Sequence, residues 1–283
     1  MQIDVRQFFT SLLQIKIGYL LIGLILFPLG HVACAVKWKY LAKPLGIHKG
    51  LKPLIGLYFI GVFFNFLLPT SIGGDITRSL YLNPGASRTR SVLSVLVERG
   101  TGVISLLILA SIVMLTDFGR PIPFWLRYAF PAAVFIGLVV FASLPKLLPD
   151  TPTRLGDIVK KDLNVFWRRP QIGIIAVLYS MMLHSVLVVI HVCVARALSL
   201  SIPVPYHFVT LSIGSLAGLL PSFNGIGVRD AAYIYLLALI GVSPAHGLLF
   251  SFCWFAIMAV SGFIGCIVYL MRGLDSAQEV SHG

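Results

Sequence analysis

Apolar runs of membrane-crossing length alternate with short polar segments along almost the whole chain. The first run covers Ile17–Ala35 and gives way to the basic stretch VKWKYLAKPLGIHKGLK. A second covers Leu51–Leu68, a third Ser91–Leu115, and a fourth about Phe124–Leu144 with Pro131 near its middle. A fifth extends from about Ile172 to Ser199, a sixth from about Pro205 to Leu220, and a seventh from roughly Pro244 to Met271. A hydrocarbon core of ~30 Å needs about 20 apolar residues as a helix, so the pattern predicts a polytopic helical membrane protein.

Two of these runs stop abruptly, at LLPTSIGGDITRS after the second and at LLPSFNGIGVRDAAY after the sixth. Proline, glycine and aspartate cannot continue a lipid-facing helix, so the backbone at both places must lie inside protein or face water. After the second stop, Ala231–Ile240 is too short to cross and reads as a re-entrant half-helix. Between Pro149 and Pro170, Leu155, Ile158, Val159, Leu163 and Phe166 recur at helical spacing with Lys and Arg opposite. That is the pattern of an amphipathic helix lying in the membrane interface, over about residues 150–170. The expected fold is an all-α integral membrane bundle of seven or eight spans with two broken or re-entrant Gly/Pro elements, forming one domain over 1–283.

Composition agrees: 58% of residues are hydrophobic and 11% charged, against about 25% charged in a soluble domain, and mean hydropathy is +0.93. The longest polar stretch, about Lys146–Gln171, is too short for a separate soluble domain. The net charge of +12 reads as topology and lipid contact rather than nucleic-acid binding, because loops facing anionic headgroups collect Lys and Arg. With seven single passes, the N-terminal side would hold twelve basic residues and the other nine, which places the N-terminus inside. Ala33-x-Ala35 resembles a signal-peptidase site, but the sixteen residues before the run favour an uncleaved anchor. Cys34, Cys193, Cys253 and Cys266 lie in apolar runs without ligand spacing and read as small buried hydrophobes.

A charge near mid-bilayer costs about 2.5–3.5 kcal/mol on insertion scales, so each one needs an explanation. Glu98 and Arg99 are the clearest cases. Adjacent helical residues point about 100° apart, so these two need partners elsewhere, and Arg78, Arg229, Asp75 and Asp230 at the two breaks are the natural ones. Such a network either staples the bundle or builds a site. The two stops share a pattern of Leu-Leu-Pro, a hydroxyl residue, two glycines and an arginine. Paired interrupted segments of this kind point to a transporter binding site. Glycines that turn with positive φ and expose amides before a helix start suit an anion such as a phosphate headgroup. The candidate lipid- or anion-binding set is therefore Pro69, Gly73, Gly74, Asp75, Arg78, Glu98, Arg99, Pro221, Gly225, Gly227, Arg229 and Asp230. His184 and His191, seven apart on one run, read as packing histidines, since no third ligand stands at a sensible spacing. Gly214, Gly218, Gly262 and Gly265 read as close helix packing. No catalytic residue, metal or cofactor is expected.

FFNFLLPTSIGGDITRSLYL, SVLVERGTG and LLPSFNGIGVRDAAYIYLLALIG resemble the lysylphosphatidylglycerol synthase transmembrane region, a flippase-like membrane family. The likeness covers nearly the whole chain, from VKWKYLAKPLGI to the last run. It implies a multi-pass protein of a bacterial or archaeal inner membrane, related to the part of that synthase thought to move aminoacylated lipid between leaflets. Stand-alone members are similar to proteins linked with hopanoid, glycolipid or polyprenyl-lipid pathways. The bifunctional members carry a cytosolic aminoacyl-transfer domain after the membrane part. Twelve residues follow Met271 here, so the synthase activity is not expected. Asp230 stands where the resemblance leads one to expect Glu.

The expected function is binding and translocation of an anionic lipid or lipid-linked headgroup. In that reading Arg78, Arg99 and Arg229 contact the phosphate, the glycines supply amides, and Asp75, Glu98 and Asp230 hold the arginines. The expected partners are membrane lipids and not nucleic acid. The alternative is a non-transporting accessory subunit that docks a lipid-modifying enzyme. An integral-membrane transferase would need a nucleophile or metal set that the sequence lacks.

Overall fold

The computed structural model describes residues 5–68, 72–82, 88–147, 154–220, 222 and 224–281. Among them it is all-helical: α1 (Val5–Leu13), α2 (Ile17–Ala42), α3 (Leu51–Leu67), α4 (Gly73–Leu82), α5 (Arg88–Met114), α6 (Phe124–Leu147), α7 (Arg154–Arg168), α8 (Pro170–Ala197), α9 (Val204–Ala217), α10 (Val228–Ala238) and α11 (Pro244–Ser281). Single 3-10 turns follow α2 at Lys43–Leu45 and α5 at Asp117–Gly119. Five helices, α2, α5, α6, α8 and α11, carry segments long and apolar enough to cross a membrane. This is a multi-pass α-helical membrane protein, with fewer full crossings than the seven or eight expected.

The difference lies at the two stops. α3 has 17 residues and α9 has 14, about 25 and 21 Å at 1.5 Å per residue, and a short helix folds back against each. On the first hairpin, the Gly74 N–H donates to Asn65 Oδ1 at 2.9 Å. A Cβ on Gly61 would stand 3.0 Å from the Gly74 carbonyl oxygen, so these two small residues let the α3 and α4 backbones touch. At its base the Leu82 carbonyl accepts a hydrogen bond from Lys49, just before α3. On the second hairpin, Gly214 lies against the Tyr233 ring and Gly218 faces Gly225. Its base is tied by Tyr206, whose hydroxyl donates to the Leu236 carbonyl at 2.6 Å.

The hairpins enter from opposite ends of the bundle, as the contacts along α5 show. Arg90, at its start, pairs with Asp162 of α7 at 2.9 Å. Eight residues on, Glu98 meets Arg78 of the first hairpin. A further eight on, the Leu106 carbonyl accepts the Ser212 hydroxyl of α9 at 3.1 Å. Ala110 and Met114, at its far end, pack with Tyr206 and Leu236 at the base of the second hairpin. Both tips therefore point toward the middle.

Because neither hairpin crosses, the expected sidedness changes. Segments that single passes would separate lie together: Lys43, Pro44 and His48 line one cleft with Val165, Arg168 and Arg169. Among the described residues, that end holds Lys39, Lys43, Lys49, Lys52, Arg88, Arg90, Lys160, Lys161, Arg168, Arg169 and Arg272. The opposite end holds Arg6, Lys16, Arg120, Arg127 and Arg196, and the N-terminal helix with them, since the Lys16 N–H donates to the Ala197 carbonyl at 3.0 Å. The expected N-inside arrangement thus places the N-terminus on the less basic end.

α7 is the expected amphipathic helix. Its Phe166 is buried in a cluster with Trp38, Leu41 and Leu54, while Trp167 donates from Nε1 to the Phe141 carbonyl at 3.2 Å. The main core joins α2, α8, α9, α10 and α11 through Phe27, Ile190, Leu211, Tyr233, Phe250 and Trp254. Phe135, Leu138 and Val140 of α6 are exposed, as a lipid-facing helix requires.

Candidate functional site

Five charges converge where the first hairpin meets α2 and α5. Glu98 is 4% exposed and splits its carboxylate, Oε1 to Lys37 Nζ at 3.0 Å and Oε2 to Arg78 Nη2 at 2.7 Å. Arg78 also grips Asp75, from Nη2 at 2.9 Å and from Nε at 3.1 Å. Its guanidinium carbon lies 5.0 Å from the Trp38 ring centroid and 4.8 Å from that of Tyr58, within cation–π range. Asp75 completes the chain by pairing with Arg99. Glu98 and Arg99 thus have separate partners, as their helical directions require; those that stand at a break, Arg78 and Asp75, both belong to the first, and Lys37 of α2 is a further partner of Glu98. Asp75 and Arg78 are three apart and share a helix face, which is why this turn can hold the arginine from both sides.

Lys37 was not singled out by the sequence, because the apolar run ends at Ala35 and Lys37 reads as the start of a loop. α2 continues to Ala42, which brings the side chain inside. Its ammonium has three protons and three acceptors: Glu98 Oε1, the Glu98 carbonyl at 3.0 Å and Ser180 Oγ at 2.9 Å. Lys37 is consumed by the protein. Arg78 is not, for its Nη1 is buried and has no hydrogen-bond partner among the described residues.

These groups form one end of a cavity of about 310 Å³, within the size range of ligand pockets. Lys37, Asp75, Arg78, Glu98 and Arg99 line it beside Phe27, Leu106, Leu183, Leu187, Leu216 and Leu219. One wall is therefore charged and another aliphatic, and both hairpins contribute. His31 and His184 also line it. The His31 Nδ1–H donates to the Phe27 carbonyl at 3.1 Å, and His184 Nδ1 is 2.8 Å from Ser105 Oγ.

The second break is built differently. Gly225 and Gly227 have φ of 83° and 85°, and Asn224 has φ of 48°, so here the glycines do turn left-handed, as expected. Asp230 caps α10 by accepting the Gly227 N–H at 2.9 Å and takes the Ser251 hydroxyl on its other oxygen. Arg229 is 4% exposed. Its Nη1 donates to Met258 Sδ at 3.1 Å, and Nε and Nη2 have no partner among the described residues. Asp230 follows Arg229 directly and points away from it, so it does not hold that arginine as expected.

The single anion site expected from both breaks is therefore two places. Gly225, Gly227, Arg229 and Asp230 stand outside the cavity lining. Gly73 and Gly74 also differ from expectation. Neither has positive φ, the Gly74 amide is taken by Asn65, and side chains there would collide with Leu68 and with the Gly61 carbonyl. Both glycines allow close packing. Pro69 and Pro221 lie outside the described residues.

His191 is buried, 3.2 Å from the Tyr233 hydroxyl and edge-on to Trp254. No group of three or more His, Cys, Asp or Glu able to hold a metal occurs among the described residues, and the four cysteines are free.

Opposed helical hairpins around a buried, charged cavity define a multi-pass membrane protein with a polar centre. The chain belongs to the lysylphosphatidylglycerol synthase TM region family, whose model matches residues 1–265. It is thus a membrane protein related to lipid metabolism or transport. No curated protein and no solved structure matches it.

Proposed function

We propose that this protein binds the anionic headgroup of a membrane lipid in the central cavity and passes it between leaflets. The observation that carries the reading is Arg78: a buried guanidinium held by Asp75 and Glu98, with one nitrogen left unpaired, in the wall of a cavity that is otherwise lined largely by aliphatic side chains. Buried charges in a membrane bundle mark substrate pathways, and guanidinium forks suit phosphate oxygens. Broken helices at the centre of a bundle are where transporters place such sites. Arg229, buried beside the second break, offers a further cation toward the less basic end. In this reading the protein moves lipid without chemical change, in the inner membrane of a cell, with the Lys/Arg-rich end on the cytoplasmic side.

Purified protein in proteoliposomes should speed the exchange of fluorescent phosphatidylglycerol between leaflets, read by dithionite quenching. Arg78→Lys should cut that rate at least several-fold at near-normal expression. Vesicles in which the wild type leaves exchange at the protein-free rate would refute transport. If loss of pathway function then followed substitutions in the Lys43, His48 and Arg168 cleft instead, the accessory role would stand.

A further inference from the structure

We propose that His191 and His207 form a proton-binding site, and that proton uptake there releases the second hairpin from α8 and opens the central cavity toward the less basic end. The site is separate from the ion cluster at the first hairpin, and neither histidine lines the cavity. His191 of α8 and His207 of α9 are buried, their ring centroids 6.1 Å apart and their planes at 82°. His191 Nε2 lies 3.2 Å from the Tyr233 hydroxyl of α10. His191 Nδ1 and both ring nitrogens of His207 are buried and have no hydrogen-bond partner among the described residues. A neutral imidazole carries one donor and one acceptor, and buried groups left unmade are costly and rare. Those three nitrogens are enclosed, and a proton is the ligand that needs no cavity. Histidine takes one in the physiological range, and intramembrane histidines in series form proton relays. His207 stands in the first turn of α9, at the less basic end, and His191 lies next to it. His184, seven residues before His191 on α8 and so about 10 Å further in, lines the cavity.

The surroundings of the pair make protonation a mechanical event. α10 presents Tyr233 and, one turn earlier on the same face, Arg229, whose charge reaches both Tyr233 and His191. The one carboxylate of α9 and α10, Asp230, is committed to the Gly227 N–H and the Ser251 hydroxyl. α11 contributes Cys253 with Phe250 and Trp254, and α2 and α5 contribute the apolar Phe27 and Leu106. A proton on either ring therefore puts a second buried positive charge beside Arg229 with no carboxylate to compensate it. It also turns His191 into a double donor, of which the Tyr233 oxygen can accept only one hydrogen. Parting of the hairpin from α8 relieves both penalties by giving the imidazolium water. Leu216 and Leu219 of the same hairpin line the cavity, so the movement that relieves the histidines displaces one of its walls. The neutral and protonated pairs select two positions of one element, which is what a ligand must do to shift a conformational equilibrium. The proposal concerns the gate and its energy source, not the cargo, and it stands or falls separately from headgroup binding.

The test is the distance between α8 and α10 in nanodiscs of a zwitterionic lipid. The full chain, with its four cysteines replaced by alanine, carries spin labels at Val189→Cys and Tyr235→Cys, both exposed positions. Double electron–electron resonance is read at pH 8 and pH 5, on either side of the ordinary histidine value of ~6.5. One distance is expected at pH 8, and at pH 5 a second population longer by about 5 Å, the size of a one-turn shift. His191→Gln and His207→Gln, each checked by gel filtration, should abolish the longer population. His184→Gln and His246→Gln, which alter histidines outside the pair, should keep it. Arg229→Met leaves both histidines in place and weakens the repulsion, so it should at least halve the longer population, which tests the proposal even where a histidine variant does not fold. A wild-type distance that is the same at both pH values, a longer population that persists in both His191→Gln and His207→Gln, or an undiminished one in Arg229→Met would overturn the proposal.

Discussion

The two hairpins begin from nearly the same words, Leu-Leu-Pro, two glycines and an arginine, and use them in opposite ways. In the first, the glycines pack helix against helix and the arginine is clamped by two carboxylates. In the second, the glycines turn the chain through positive φ, the acid caps the helix, and the arginine is buried with a methionine sulfur beside it. The cause is the position of one aspartate. Three residues before the arginine it shares the arginine's face; one residue after, it points about 100° away. Glu98 amplifies the difference, since it pairs with the arginine of the first hairpin and not with that of the second.

The largest break in this comparison should come from Glu98→Gln. It leaves Lys37 and Arg78 buried together without their shared carboxylate, and removal of one member of a buried ion set costs about 3–5 kcal/mol. Thermal unfolding in detergent should show the loss. Adding Lys37→Met should restore much of it, and a double variant as unstable as the single would mean that the two do not act as a unit.

Gly74→Val should come next, at about 1–3 kcal/mol for an overpacked contact against the Gly61 carbonyl. Gly227→Ala meets open space, so only its φ of 85° is strained, at about 1–2 kcal/mol. If Gly227→Ala proved the more damaging, the assignment of packing to one glycine pair and turning to the other would be reversed. Asp230→Ala should cost about 1 kcal/mol as a lost helix cap, with lipid exchange retained.

The smallest stability loss, and the most diagnostic, belongs to Arg229→Met. An arginine buried without a carboxylate partner carries an uncompensated desolvation cost, so its removal should leave thermal stability unchanged or raise it, while Arg78→Met should destabilise clearly. Lipid exchange should fall in both. A large stability loss at Arg229 would show that the second break is clamped like the first.

Much of this was legible in the sequence because it is local. The starts of α3, α6 and α11 at Leu51, Phe124 and Pro244, the two stops, the half-helix after Gly227 and the amphipathic segment before Pro170 all follow from period and punctuation. So does the need of Glu98 and Arg99 for separate partners. What was hidden is non-local. Lys37 reads as loop because hydropathy falls where charge begins, although the helix continues; its partners stand 61 and 143 positions away. The hairpins were hidden for a related reason. A run of apolar residues records that a segment is buried in protein or lipid, not whether it reaches the other side, and two misjudged crossings are enough to move a whole set of loops to the wrong end.

The separation of Lys37 from Glu98 also bears on how the protein is made. Lys37 leaves the ribosome 61 residues ahead of its counter-ion, an interval of roughly 3–12 s at about 5–20 residues per second. Throughout that time α2 carries an ammonium without its Glu98 partner, only five residues from its end at Ala42. The side chain's long apolar stem lets it reach up to the headgroups meanwhile. Only when α5 arrives can the lysine withdraw into the bundle, so the ion cluster couples the final depth of the first membrane-crossing helix to the arrival of the second one's glutamate.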